Sequence, residues 1–115
     1  MSPVVSLRLY FHRSENALPT RRLHRIFKPS LASYLLRHAT ADGIEQVLMH
    51  QVHAGYLKGK RLAHEHLETA HAHLPQCIEM IDREQKLRDF LQHHAAHLLS
   101  VRAVFMPCEV VPDHK

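Results

Sequence analysis

Four histidines in the middle of the chain have the spacing of a metal site. If the chain reverses in a two-residue turn at Glu68-Thr69, positions two apart share a face and the four imidazoles project together. Facing Cβ atoms would lie about 4.5–5.5 Å apart, and four nitrogen donors suit zinc, copper or nickel. A helix sharing His64, Glu68 and His71 on one face, or a solvated polar loop, fits the same residues. The candidate metal ligands are His64, His66, His71 and His73.

A basic loop, Gly55–Arg61, precedes these histidines along the chain. It contains two of the three glycines of the protein and three cations, Lys58, Lys60 and Arg61. Cationic side chains on a flexible loop favour an anion site, although an ordinary solvated loop has the same composition. The whole chain has a formal net charge of +4 and thirteen histidines. A basic balance of this size favours small anions or acidic protein surfaces as partners.

The composition and the motifs limit the classes of function that we expect for this protein. Hydrophobic residues are 45% and charged residues 23% of the 115-residue chain, which is typical of a single globular domain, here 1–115. Only Phe27 and Tyr56 are aromatics near basic residues, and no RNA-binding motif is present, so nucleic acid is not an expected partner. No motif places a nucleophile beside a base, which predicts a protein that is not an enzyme. The sequence does not identify a cofactor.

The N-terminus and the cysteines give expectations for the cellular location of the protein and for the redox state of its thiols. The first residues lack a signal-type pattern, and no apolar run approaches the roughly 20 residues of a membrane helix. We therefore expect a cytoplasmic protein. The two cysteines, Cys77 and Cys108, do not form a C-x-x-C motif. We expect them to be reduced, buried thiols.

Hydrophobic periodicity predicts four strands and two helices. The predicted strands are Val5–Phe11, Ile44–His53, Pro75–Ile81 and Val101–Val111. The first helix is expected to have Pro29 in its first turn and to end at Asp42-Gly43. Asp82 is expected to cap the second helix, with Gln85 completing a capping box. Pro107 predicts an edge or bulged strand. The order β-α-β-β-α-β predicts an α+β, ferredoxin-like split β-α-β fold with an antiparallel sheet.

Several segments at this spacing resemble a known family. They are Pro29, Gly43-Ile44, Gly55-Tyr56, Leu74–Asp82 and Glu84–Leu91. Together they resemble the PII-like family of uncharacterised proteins called domain of unknown function 190, roughly from Val5 to Val111. The resemblance implies a compact homotrimer with adenine-nucleotide clefts between subunits. It also implies a T-loop that meets partner proteins, which in such families can be a membrane transporter.

The resemblance assigns ligand-binding roles to residues of the basic loop. Gly55, Tyr56, Lys58 and Lys60 match the end of strand two and the start of the T-loop in PII proteins, and the segment Gly55–His73 would contact the partner. Arg102 is a further candidate for a phosphate contact. The expected function is therefore a non-enzymatic PII-like trimeric binding and signalling protein for a small anionic ligand, which an adenine nucleotide would satisfy. The alternative is a trimer that binds a divalent metal through the histidine cluster.

Two departures from the PII pattern concern phosphate binding. Leu57 replaces a glycine, which removes backbone freedom for a close approach to phosphate. The stretch Gln92–Val101 contains no glycine, whereas PII proteins have a glycine-rich turn there. Backbone anion nests use glycine-like conformations. The backbone of this chain is therefore not expected to bind phosphate in the way that the glycine-rich turn of PII proteins does.

Overall fold

A computed structural model describes residues 2–19, 29–65 and 73–112. Six strands and two α-helices follow one another along this part of the chain. The strands are β1 (Val4–His12), β2 (Gln46–Gln51), β3 (Ala54–Gly55), β4 (Ala63–His64), β5 (Pro75–Arg83) and β6 (Arg102–Pro107). The helices are α1 (Leu31–Ala41) and α2 (Glu84–His93), followed by a short 3-10 helix, Ala95–His97.

Four of the strands form one antiparallel sheet in the order β2-β5-β1-β6. In the centre of the sheet, Leu7 of β1 pairs with Met80 of β5 and with Phe105 of β6. This strand order, with the two helices as connections, confirms the predicted α+β fold and is compatible with the ferredoxin-like plan. The strand predicted over Ile44–His53 is shorter, and β3 and β4 form a separate two-stranded ribbon that the hydrophobic periodicity did not predict.

The alternation in β1 places its two sets of side chains on opposite faces of the sheet. The first face carries Val5, Leu7, Leu9 and Phe11, all buried in the core with apolar residues of both helices. Full burial stabilises each such side chain by about 1.5–3 kcal/mol. The second face carries the alternate residues of β1, which include Arg8 and are mostly polar. Helix packing on the first face therefore leaves the second face for other contacts.

The boundaries of α1 agree with the prediction at one end only. Ser30 is the N-cap, and its hydroxyl accepts a hydrogen bond from the backbone N–H of Ser33 at 3.1 Å. Pro29 precedes this cap, so its predicted place in the first turn is wrong. The end of the helix is confirmed, because Asp42 is the C-cap and Gly43 follows with φ of +71°. Glycine adopts this left-handed conformation without steric cost.

Asp82 is not the cap of α2, which corrects the capping-box prediction. Strand β5 extends through Arg83, which is the N-cap residue. The Asp82 carboxylate accepts hydrogen bonds from the backbone N–H groups of Arg83 at 2.7 Å and Glu45 at 2.9 Å, and pairs with Lys86 at 3.3 Å. Burial opposes ionisation, but these contacts lower the pKa of Asp82 overall. The carboxylate therefore ties the end of β5 to the chain entering β2.

The last strand and the cysteines also refine the prediction. Strand β6 ends at Pro107, so the predicted strand is too long, but its place at an edge of the sheet is confirmed. Cys77 is buried as expected, whereas Cys108 is exposed, and both are free thiols.

Neither of the helices in the described residues is long and apolar enough to cross a membrane.

Candidate anion-binding site

Arg13 fixes the base of the segment that connects β2 to β5. Its backbone N–H donates to the carbonyl of Leu74 at 3.0 Å, just before β5. Its guanidinium Nη2 donates to the carbonyl of Val52 at 3.1 Å, just after β2. One residue directly after β1 therefore holds both ends of this connection in place.

The β3–β4 ribbon extends from this base. Ala54 pairs with His64, and Gly55 pairs with Ala63. The backbone N–H of Glu65 donates to the carbonyl of His53 at 2.8 Å, and the two side chains also contact each other. These contacts close the intervening segment into a defined loop.

A tight turn in that loop orients its lysines. The backbone N–H of Lys60 donates to the carbonyl of Leu57 at 2.9 Å, so the four residues from Leu57 to Lys60 form a β-turn. Gly59 is the third residue of the turn and has φ of +81°, a conformation that favours glycine. Lys58 and Lys60 consequently line the same cleft.

This cleft, which we call the Lys58 cleft, has a volume of about 440 Å³. It is lined by Tyr10, His12, Glu15, Leu57, Lys58, Lys60, Leu99, Ser100, Val101 and Arg102. Three of the residues predicted to bind a ligand, Lys58, Lys60 and Arg102, meet here. Of the other two, Gly55 lies in β3 and the Tyr56 side chain is 63% exposed; neither is among the described residues that line the cleft.

Leu99, Ser100 and Val101 form the wall of the cleft that leads to Arg102. The backbone N–H groups of Leu98 and Val101 already donate to the carbonyls of Ala95 and Leu98, each at 3.0 Å. Among the residues of this wall, the backbone amide of Val101 is therefore already bonded within the stretch. An anion in the cleft would contact the hydroxyl of Ser100 and the guanidinium of Arg102 from this side.

A second cavity, which we call the Arg61 cavity, has a volume of about 550 Å³. It is lined by His12, Ser14, Lys60, Arg61, Leu62, Ala63 and His73. His12 and Lys60 line both this cavity and the Lys58 cleft. Burial, and then the positive charge of Lys60, lower the pKa of His12, while Glu15 opposes the shift. His12 is therefore mainly neutral at pH 7 in the unliganded protein.

The predicted metal ligands lie partly outside the described residues. His66 and His71 belong to the undescribed segment 66–72, so the four-histidine site stays a prediction. His64 is exposed in β4, and His73 lines the Arg61 cavity. Within residues 2–19, 29–65 and 73–112, no group of three or more His, Cys, Asp or Glu side chains is arranged to hold a metal ion.

Tyr10, His12 and Glu15 line the cleft but were missed as site residues. The alternation of β1 already places Tyr10 and His12 on its polar face. Tyr10 also pairs directly with Arg102 across β1 and β6. The ferredoxin-like strand order makes these two strands neighbours, so Tyr10 could have been identified from the predicted topology.

The chain is similar to uncharacterised proteins. The model of the DUF190 family, described as "Uncharacterized ACR", matches residues 19–110. A "UPF0166 protein" of Aquifex aeolicus (strain VF5) is 36% identical over 59 residues, which make up 51% of this chain and 56% of that protein. The matched segment thus spans little more than half of the relative's length.

Proposed function

This chain belongs to the DUF190 family, and from that premise we propose that it is a non-enzymatic binding and signalling protein that holds a small anionic ligand in the Lys58 cleft. The observation that carries the proposal is the meeting of Lys58 and Lys60 with Arg102 in one cleft. Lys58 and Arg102 are 44 positions apart in the sequence. Cations brought together from distant segments favour an anion over a neutral ligand.

The charges around the cleft support an anionic ligand. Three cations line it, and Glu15 is the acidic residue among its described lining. A pair of unit charges at about 4 Å is worth roughly 4 kcal/mol at an effective dielectric constant of 20, before desolvation is counted. The two lysines are exposed, so salt will screen part of this attraction. The volume of about 440 Å³ lies within the usual range for ligand sites.

Adenine nucleotides are the first ligands to test. Arg102 and Ser100 can contact phosphate oxygens through their side chains, which replaces the backbone nest of PII proteins. Isothermal titration calorimetry with ATP, ADP and AMP tests this directly. Saturable heat with at least one nucleotide supports the proposal, and its absence with all three excludes adenine nucleotides as the ligand.

The second face of the sheet is the surface we propose for assembly into a homotrimer. Glu79 lies on this face and accepts hydrogen bonds from Arg8 at 3.0 Å and Ser6 at 3.1 Å. Burial opposes its ionisation, but these partners and His50 lower the pKa of Glu79 overall. A carboxylate that is already paired loses less on further burial. Leu48, which pairs with Glu79 across β2 and β5, is 46% exposed and adds apolar surface to this face.

The segment Gly55–His73 is the surface we propose for a protein partner, which in the PII-like setting can be a membrane transporter. Two large side chains support this role, because Tyr56 and Leu62 are 63% and 59% exposed. Exposed apolar side chains at the tip of a ribbon are suited to protein contact. A Tyr56→Ser variant should lose co-purifying partners while retaining ligand binding, because Tyr56 lines neither the Lys58 cleft nor the Arg61 cavity. Unchanged co-purification would remove this surface from the proposal.

A further inference from the structure

The Arg61 cavity adjoins the Lys58 cleft, with His12 and Lys60 lining both. On the cavity side these residues are joined by Arg61, His73 and the hydroxyl-bearing Ser14. None of the described residues that line the Arg61 cavity is acidic, whereas Glu15 lines the Lys58 cleft. The described lining of the cavity thus carries two cations and no acid, whereas that of the Lys58 cleft carries three cations and one acid.

The donor groups of the cavity match an oxyanion. Arg61 presents a planar fork that can bond two oxygens of one phosphoryl or sulfate group. Ser14 can donate through its hydroxyl, and each imidazole can donate through a ring N–H. A divalent cation would be repelled by Lys60 and Arg61 at the same place. The residues that line the cavity therefore favour an anion over a metal ion beside His73.

The cavity is also fixed in position by the fold. Ala63, one of its lining residues, is buried in β4 and pairs with Gly55. His12 is the last residue of β1 and pairs with Pro75 of β5. The neighbouring Arg13 bonds the chain on both sides of the ribbon. Groups on three separate parts of the chain are therefore held around one space before any ligand is bound.

We propose that the Arg61 cavity is a second oxyanion subsite, which binds the distal phosphoryl group of a ligand whose first anionic group lies in the Lys58 cleft. This inference rests on the proposed function, since the ligand must span both cavities past His12 and Lys60. A volume of about 550 Å³ accommodates a phosphoryl group with water around it. The protein would then discriminate ligands by the number of their phosphoryl groups.

A comparison of ATP with AMP in matched variants tests the subsite. Arg61→Gln should weaken ATP binding at least fivefold and leave AMP binding within twofold of wild type, because AMP has no distal phosphoryl group. Arg61→Lys, which keeps the charge, should recover part of the ATP affinity. Arg37→Gln, an exposed arginine of α1, is the control and should change neither affinity. Equal effects of Arg61→Gln on both nucleotides, or no effect on ATP, would overturn the subsite.

Inorganic sulfate gives a second readout that does not depend on nucleotide binding. Sulfate stays a dianion between pH 6 and 8 and should shift the imidazole NMR signals of His12 and His73 saturably, and His93 much less. His73→Gln should weaken this binding severalfold. Sulfate shifts without nucleotide binding would support the subsite and reject adenine nucleotides as the ligand. Nucleotide binding without any sulfate effect on His73 would reject the subsite and leave the proposed function standing.

Discussion

The hydroxyl of Tyr34 lies 2.8 Å from Nδ1 of His94, and both side chains are buried. On the other side of the imidazole, Nε2 of His94 lies 3.2 Å from a carboxylate oxygen of Asp42. The rings of His38 and His97 each lie 4.1 Å from the Tyr34 ring, centroid to centroid. Burial raises the pKa of Tyr34, so its hydroxyl stays protonated and donates to a neutral His94. This network joins α1 to the end of α2.

Removing the Tyr34 hydroxyl should destabilise the fold. Tyr34→Phe leaves Nδ1 of the buried His94 without its partner, which costs about 1–3 kcal/mol for an unsatisfied polar group. Urea denaturation measures the loss. Tyr56→Phe is the matched control, because that side chain is 63% exposed. Equal stabilities of Tyr34→Phe and wild type would show that the hydrogen bond contributes nothing.

Stability should fall as the solution is made mildly acidic. Burial lowers the pKa of both His94 and His97 from the ordinary value of about 6.5. The unfolded chain therefore binds protons before the folded chain does, and stability is lost from about pH 6.5 down to the folded-state pKa values. The slope is at most about 1.4 kcal/mol per pH unit for each proton.

Urea denaturation from pH 8 to pH 5 measures this slope. A His94→Gln variant should have a flatter profile than wild type, whereas His64→Gln, at an exposed position of β4, should not. The loss should precede that caused by Asp82 and Glu79, because their lowered pKa values confine their contribution to more acidic solutions. Stability that is constant or rises between pH 6.5 and 5 would contradict the structure.

The Asp82 carboxylate should contribute more to the free energy of unfolding than an ordinary surface carboxylate does. Asp82→Ala removes hydrogen bonds to two backbone N–H groups and the ion pair with Lys86. Hydrogen bonds to a charged group contribute about 1.5–3 kcal/mol, so we expect a loss of roughly 2–3 kcal/mol. Asp89→Ala is the control, since its contact with Gln85 within α2 is worth a few tenths of a kcal/mol. Similar losses in the two variants would show that Asp82 does not tie β2 to β5.

Local patterns predicted the framework of this fold, and tertiary contacts decided the rest. The alternation of β1 depends on burial of one face, and the end of α1 depends on a single glycine, so both are visible in sequence. Asp82 resembles a helix cap in sequence, but its carboxylate bonds to Glu45 in a distant segment. Likewise, Lys58 and Arg102 could be named one by one, but the contribution of His12 to both cavities required the folded arrangement.

The oligomeric state tests the role proposed for the second face of the sheet. Sedimentation equilibrium should give three times the chain mass of 13.3 kDa for wild type. Glu79→Lys leaves Arg8 and the new lysine unpaired on this face and should dissociate the assembly, because burying unpaired charges is strongly unfavourable. Glu109→Lys, at an exposed position beyond β6, should leave the mass unchanged. A wild-type mass equal to one chain would reject assembly through this face.

The most direct measurement is a double-mutant cycle between Lys58 and Arg102 with the tightest nucleotide as ligand. Because both side chains line one cleft, each single change to Gln should weaken binding about tenfold, or roughly 1.4 kcal/mol. The loss in the double variant should differ from the sum of the single losses, as expected for residues that contact one ligand. Arg37→Gln should bind like wild type, and affinity should fall with added salt. Unchanged affinity in both single variants, or equal weakening by Arg37→Gln, would contradict an anion site in the Lys58 cleft.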